Sequence, residues 1–249
     1  MAFARHMMAG GIVKEALALQ GLPVPTSVVA NARDVTARQM WAQLRTWGRR
    51  LCKPTRTHRW QALKREWQLP TVAGQTLYEL PVDFDSLIDQ TSWNTSSSFP
   101  MVGPATDSQW QTMVGRSSAS TTFAMLYRII GDKLELSSSP GDSQQLSLLY
   151  NSRAWVRLEN SPPDNPLYAD APVSDGDTIM FDPELMVAAV QYGFMAAKGF
   201  DTTSIAQQFE RMLEAAIDAD EDAPTLSLAP SSNSGLISQC NVPDTGYGG

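Results

Sequence analysis

Two histidines, two cysteines and 26 carboxylates are the material from which this chain of 249 residues would have to build a catalytic or metal site. Acid–base and nucleophilic routes need such groups to converge with shifted pKa values. His6 lies early in the sequence and His58 in the basic turn Arg56–Arg59, and both read as surface histidines. No GxSxG, phosphate-binding loop or HExxH occurs. The acidic pair in SDGDT, residues 174–178, lacks the Asp/Asn spacing and distal Glu of a calcium loop and reads as a turn. The run DADED, residues 218–222, reads as a solvated, fraying helix end, because carboxylates there oppose the helix dipole. Cys52 and Cys240 stand far apart with no CxxC, as unpaired thiols of a reducing cytoplasm would, and imply no zinc site. The expectation is a protein with no catalytic residue, no metal and no cofactor.

A second chemistry is available to TWGRRLCKPTRTHRWQALKR, residues 46–65, where Arg and Lys interleave with Trp as in nucleic-acid-binding segments. Trp47, Trp60 and Trp67 fall on apolar stripes, however, which assigns them to a core; stacking platforms for bases are exposed. No helix-turn-helix or zinc-finger spacing supports sequence readout, so any duplex would be met through its backbone charge alone. The formal net charge of −7 conceals a division. Residues 1–70 hold twelve Lys/Arg against three Asp/Glu, a formal +9, and residues 71–249 hold seven against 23, a formal −16. A dipolar chain can stack head to tail or bring one sign of field to a polyanion; segregated solvated faces are the plainer reading.

The elements that would position these groups follow from periodicity and breakers. Apolar content of 43% and charged content of 18% suit a soluble globular protein. No stretch reaches the roughly 20 apolar residues of a membrane span. Lys14 and Glu15 interrupt the early apolar run and no small-residue cleavage site follows it, which argues against a signal peptide. Ile12, Ala16 and Leu19 predict a helix over 8–20, stopped by the breakers of GLPVP, with Thr26 or Ser27 as the cap of the next element. Met40, Leu44, Trp47 and Leu51 predict a long amphipathic helix over about 32–53, ended by Pro54. HRWQALKREW, residues 58–67, predicts a shorter helix with Trp60, Leu63 and Trp67 on one side.

The period then changes. TLYELPVDF alternates, LIDQTSWN and FPMVGPAT are short segments between turn residues, and SQWQTMVG holds one helical turn or two. Tyr127, Ile129, Leu134 and Leu136 alternate around the pair Gly131-Asp132, a hairpin signature, and LSLLYNSRAWV completes a meander after a second turn. Residues 159–178 read as a loop. Asp182-Pro183-Glu184 opens a helix with a cap, a pre-set first residue and a favourable charge, and Gly199 closes it. A last helix over 203–220 carries Ile205, Phe209, Met212, Leu213, Ala216 and Ile217 on one face. Beyond Ala223 the composition is a Ser-, Pro- and Gly-rich tail. The economical fold is α+β: an α-helical bundle from N- and C-terminal segments, 1–70 and 180–222, an inserted antiparallel β-rich domain, 71–179, and an extended C-terminal tail, 223–249.

Taken in order, GLPVPTSV, RWQALKREW, YELPVDFDSLIDQTSWN, MVGPATDSQWQ, the hairpin YRIIGDKLELSSSPGDSQQLSLLYNSRAWV, DTIMFDPELMVAAVQYGFMAAKGFD and an acidic Ala-rich helix resemble the head-to-tail adaptor (connector) proteins of tailed bacteriophages, relatives of the tail tubular protein A group of short-tailed phages. The likeness runs over about residues 15–225, and the ordered series carries it. The resemblance implies a helical bundle with an inserted β-sandwich-like domain and a structural virion protein at the head–tail junction, assembled in the host cytoplasm. Such adaptors form a ring, commonly twelve-fold, beneath the portal protein. The ring extends the channel for double-stranded DNA, without sequence specificity, and offers a platform to the tail nozzle or tail tube; no membrane is involved.

On that resemblance, Leu226, Leu228, Leu236, Ile237 and Val242 of the tail are candidate portal contacts, by strand addition or by wedging between subunits, with simple disorder as the other reading. Arg45, Arg49, Arg50, Lys53 and Arg56 are candidate electrostatic contacts to portal or DNA, or a solvated face; a strongly attractive lumen would retard DNA, which favours protein. The all-round apolar helix at 184–198 is open to two readings, packing by its own bundle on one side and by the next subunit on another, or burial within its own chain alone. The alternative function is a DNA-binding accessory protein acting through its basic N-terminal helices. A hydrolase is disfavoured by the missing catalytic constellation.

Overall fold

Helix α1 (Ala9–Leu19) buries Ala9, Ile12, Val13, Ala16 and Leu17, a stripe at helical spacing. It ends where Gly21 turns to φ +66° and its N–H donates to the Ala18 carbonyl, while the Leu22 N–H reaches Leu17, each at 3.0 Å. Those two bonds satisfy carbonyls that the last turn leaves open. Helix α2 (Val35–Cys52) is capped by Asp34, whose Oδ1 accepts from the Thr36 and Ala37 N–H groups at 3.0 Å, so the cap is not Thr26 or Ser27. Ala37, Met40, Leu44, Gly48 and Leu51 face inward. Gly48 is required by a close approach: a Cβ there would stand 2.2 Å from the Trp155 ring. The computed structural model describes residues 6–30, 33–52, 58–115, 125–138, 141, 143–162 and 165–220.

Residues 58–67 depart from the helix that their spacing predicts. A single 3-10 turn, Gln61–Leu63, leads into strand β1 (Lys64–Pro70). Two periods compete in this segment: Trp60, Leu63 and Trp67 step like a helix, but Arg65, Trp67 and Leu69 alternate. The strand wins because all seven residues pair antiparallel with β8 (Gln145–Ser152), from Lys64↔Asn151 to Pro70↔Gln145.

Between them run β2 (Leu77–Glu79), β3 (Phe84–Leu87), β4 (Trp93–Asn94), β5 (Phe99–Pro100), helix α3 (Asp107–Gly115), β6 (Tyr127–Ile130) and β7 (Lys133–Leu136). The hairpin predicted at Gly131-Asp132 is present, with Ile130 opposite Lys133 and Gly131 at φ +57°. Its continuation into β8 as a meander is not. Strand β7 pairs with β2 and β6, whereas β8 crosses to a different sheet, β1-β8-β4-β5 with β3 also on β8. Leu69, Leu146 and Leu148 from one sheet and Tyr78, Tyr127, Leu134 and Leu136 from the other then bury against each other. A third antiparallel sheet, β10-β9-β11, comprises β9 (Val156–Arg157), β10 (Tyr168–Ala169) and β11 (Thr178–Ile179). The fold is α+β with antiparallel sheets.

Helix α4 (Pro183–Lys198) starts as its sequence predicts: Asp182 Oδ1 accepts from the Leu185 N–H at 2.9 Å, and Gly199, at φ +77°, closes the other end. Leu185 to Val190, six residues in succession, are buried within one copy of the chain, whereas Ala196, Ala197 and Lys198 at the far end of the helix are exposed. Helix α5 (Thr203–Asp220) follows a short turn and packs on α4. Residues of α1, α2, α4 and α5 share a single core with Trp155, Val156, Ile179 and Phe181. Strand β8 therefore joins both interiors: Leu146 and Leu148 lie in the sheet core, and Trp155, three residues past the strand's end, lies in the helical one. Trp155 stacks on Phe181 (centroids 5.9 Å apart) and donates its indole N–H to the Asp170 carbonyl at 2.7 Å.

Candidate interaction surfaces

Among the described residues, the groups singled out for chemistry are engaged in structure. His58 is no surface residue: it is 3% exposed, packs edge-on against Trp60, and its Nε2 lies 3.1 Å from Asp220 Oδ2. The same carboxylate oxygen accepts from the Gln61 N–H at 2.8 Å. Asp220, read from sequence as part of a fraying end, thus fastens the last turn of α5 to the segment that enters β1. Its burial beneath the 58–61 turn outweighs the unfavourable dipole.

SDGDT is a turn, as predicted, and both its carboxylates hold loops. Asp175 accepts from the Ser27 hydroxyl and from the Val28 and Val29 N–H groups. Buried Asp177 accepts from the N–H groups of Glu159, Val173 and Ser174. Burial pushes the Cys52 thiol up to about 12, with the Asp85 and Asp170 charges adding to the effect, so it stays protonated and unreactive near neutral pH. Cys240 lies outside the described residues. Among the described residues no three His, Cys, Asp or Glu side chains group as a metal would need.

Two concavities stand out among the described residues. A cavity of about 180 Å³ between Trp60, Phe181, Ala216 and Asp220 also touches His6 and Asp182. Of its two carboxylates, Asp220 serves His58 and Gln61 and Asp182 caps α4. A shallower groove of about 480 Å³ has an apolar floor of Leu80, Phe84, Leu87 and Ile129 and acidic groups Asp85, Asp89 and Asp132 along it.

The tryptophans of the basic segment belong to interiors. Trp60 is buried, with its indole N–H on the Leu51 carbonyl at 2.8 Å. Trp47 packs edge-on against Phe209 of α5, and Trp67 lies against the sheet core. Trp60 is closed to base stacking, and Trp47 and Trp67 give part of their rings to packing. Arg45, Arg49 and Arg50 lie on the exposed side of α2. Arg49 reaches Asp170 at 3.2 Å, with both side chains more than half exposed, a pair of little energetic weight. Arg50 lies over the Trp47 ring at 4.9 Å. Lys53, Arg56, Leu226, Leu228, Leu236, Ile237 and Val242 fall outside the described residues. The structure therefore brings together the α2 arginines and leaves the rest of the predicted contact set unplaced.

A surface that the sequence reading passed over is the outer face of α5. Glu210, Glu214 and Asp218 are exposed there at i, i+4 and i+8, a spacing visible in the sequence itself. The LPVDF stretch, residues 80–84, also gains a physical reason. Asp83 accepts from the Tyr150 hydroxyl at 3.0 Å and the Ser152 hydroxyl at 2.5 Å, and its carbonyl accepts from the Arg153 N–H. Phe84 stacks on Tyr150. The turn before β3 is thereby locked onto the end of β8. Burial and the Asp83 charge hold the Tyr150 phenol well above its usual pKa.

No curated protein matches this chain. The profile of the SU10 adaptor protein family matches residues 20–232, from the turn after α1 through every strand and past the end of α5. This chain belongs to the SU10 adaptor protein family and is a phage structural adaptor, a role that implies no catalysis.

Proposed function

We propose that the chain forms a ring adaptor between the portal protein and the tail nozzle or tail tube, extending the DNA channel during head completion and genome ejection. The observation that carries this reading is the family match, which spans both the helical core and the sheets rather than one lobe alone. On the likeness to the tail tubular protein A group, the ring is twelve-fold and duplex DNA passes through it without sequence specificity. The chain assembles in the host cytoplasm and ends in the virion at the head–tail junction. The helices within 1–70 and 180–222 brace the channel, and the sheets built by 71–179 together with β1 face neighbours and tail components in a sandwich-like lobe. Leu226, Leu228, Leu236, Ile237 and Val242 fasten the C-terminal tail to the portal. Arg45, Arg49, Arg50, Lys53 and Arg56 meet protein rather than DNA.

Electron microscopy of the purified chain mixed with its portal tests this reading. Rings or portal-capping layers are the expected result, and an inert monomer in that mixture would contradict it. A second reading, a DNA-binding accessory protein, rests on the exposed arginines of α2. It requires duplex binding at physiological ionic strength that weakens steeply with salt.

A further inference from the structure

We propose that the exposed arginine face of α2 docks on the exposed acidic face of α5 in the next copy of this chain, joining copies head to tail. This inference rests on the ring reading and names the partner that the α2 arginines meet. Arg38, Arg45 and Arg49 lie at i, i+7 and i+11, one line on the outside of α2, about 16 Å long at ~1.5 Å per residue. Glu210, Glu214 and Asp218 form a line of about 12 Å on α5. The four-residue step from Arg45 to Arg49 repeats twice in the acidic line, so the two rows can be set in register.

Within one copy these charges are unmatched. Among the described residues, Arg38, Arg45, Glu210, Glu214 and Asp218 have no ion-pair partner, and Arg49 has only the exposed Asp170. Helix α5 is also incompletely covered. Phe209 is its one buried residue, whereas Met212, Leu213, Ala216 and Ile217 are partly buried at the margin of the helical core. A neighbour laid along α5 would cover that margin while pairing the carboxylates.

The sign of the charges restricts how copies meet. Contact of α2 with α2 sets arginine against arginine, and α5 with α5 sets carboxylate against carboxylate, both repulsive. Only α2 with α5 is attractive. If each copy offers α2 to one neighbour and α5 to the other, the contact is heterologous and closes into a ring when its rotation permits.

A charge-reversal experiment on the full chain, alone and on its portal, tests the contact by mass and electron microscopy. The variant carrying Arg38→Glu with Arg45→Glu, and the variant carrying Glu210→Lys with Glu214→Lys, are each expected to associate about tenfold or more weakly than the native chain. An equimolar mixture of the two is expected to recover rings in which the variants alternate, because every interface again joins opposite charges. Recovery also certifies that both variants are folded. Rings of either variant as stable as the native ones, or a folded mixture that fails to recover, would overturn this contact and leave the ring standing. Two-fold dimers in place of rings would overturn its head-to-tail polarity. A native chain that forms no ring alone or on the portal would remove the ring reading itself.

Discussion

The helical layer and the paired sheets are held by different means. The helical core gathers residues from four helices together with Trp155, Phe181 and Ile179, and its apolar volume outweighs the few clasps at its edge, such as Asp220 on His58 and Gln61. Among the described residues the sheet core is small: eight buried residues, three of them from a single strand pair, β1 and β8. Around it stand polar clasps between segments distant in sequence: Asp83 on Tyr150 and Ser152, Ser92 on Tyr127, Thr71 on Gly141 and Gln144, and Asn94 on Gln144; Arg128 on Glu135 adds one across the β6–β7 hairpin. An apolar core degrades gradually as volume is removed, whereas a clasp fails when one partner leaves the other unsatisfied. The sheets should therefore be the more sensitive to polar substitutions and the helical layer to losses of bulk.

The largest effect is expected from Trp155→Ala. It empties the space that Gly48 leaves for the indole and cuts the stacking on Phe181. A loss of about 3–5 kcal/mol is expected from a buried aromatic of this kind, read as a fall in the denaturant midpoint. Asp83→Ala comes next. It orphans the Tyr150 and Ser152 hydroxyls, at a cost of about 1–3 kcal/mol. Hydrogen exchange should rise at the end of β8 and in β3 while α4 keeps its protection. Equal exchange gains in both regions would dissolve the distinction drawn between them. Asp182→Ala removes the cap of α4 and should cost about 1 kcal/mol, a modest loss because the helix is held mainly by its burial.

The smallest effect at neutral pH concerns Cys52, whose burial raises its pKa from 9.0 to about 12. In a Cys240→Ser background the thiol should resist alkylation until the helical layer opens. A raised thiol pKa means that the folded chain holds the proton more tightly than the unfolded one. The stability this contributes is complete below about 9 and is lost as pH rises toward about 12. Cys52→Ala should remove that part of the alkaline loss; an unchanged alkaline profile would contradict the assignment.

The contrast between the two regions also explains what the sequence discloses. Helices α1, α2, α4 and α5 are readable because their periodicity and end signals are local: Asp182-Pro183 at one end of α4 and Gly199 at the other need no knowledge of the rest of the chain. The β6–β7 hairpin is readable for the same reason. The strand character of 64–70 is not, because its partner β8 lies about eighty residues away and Trp60, Leu63 and Trp67 offer a helical period in competition. The split of β7 and β8 between two sheets is a non-local choice of the same kind. His58 and Asp220 look solvated in sequence because each sits among charges, and only the fold brings them together. Of the candidate contacts, the arginines of α2 were legible from their position off the apolar stripe. The acidic row on α5 was present in the spacing and gains meaning only beside its unmatched counterpart.

A reconstruction of the intact head–tail junction, at a resolution that separates helices, tests the central claim most directly. The account predicts a closed ring of this chain between portal and tail, with α2 of each copy lying along α5 of the next. A junction that lacks the chain, or one in which it sits as isolated copies with both helices facing solvent, would contradict it.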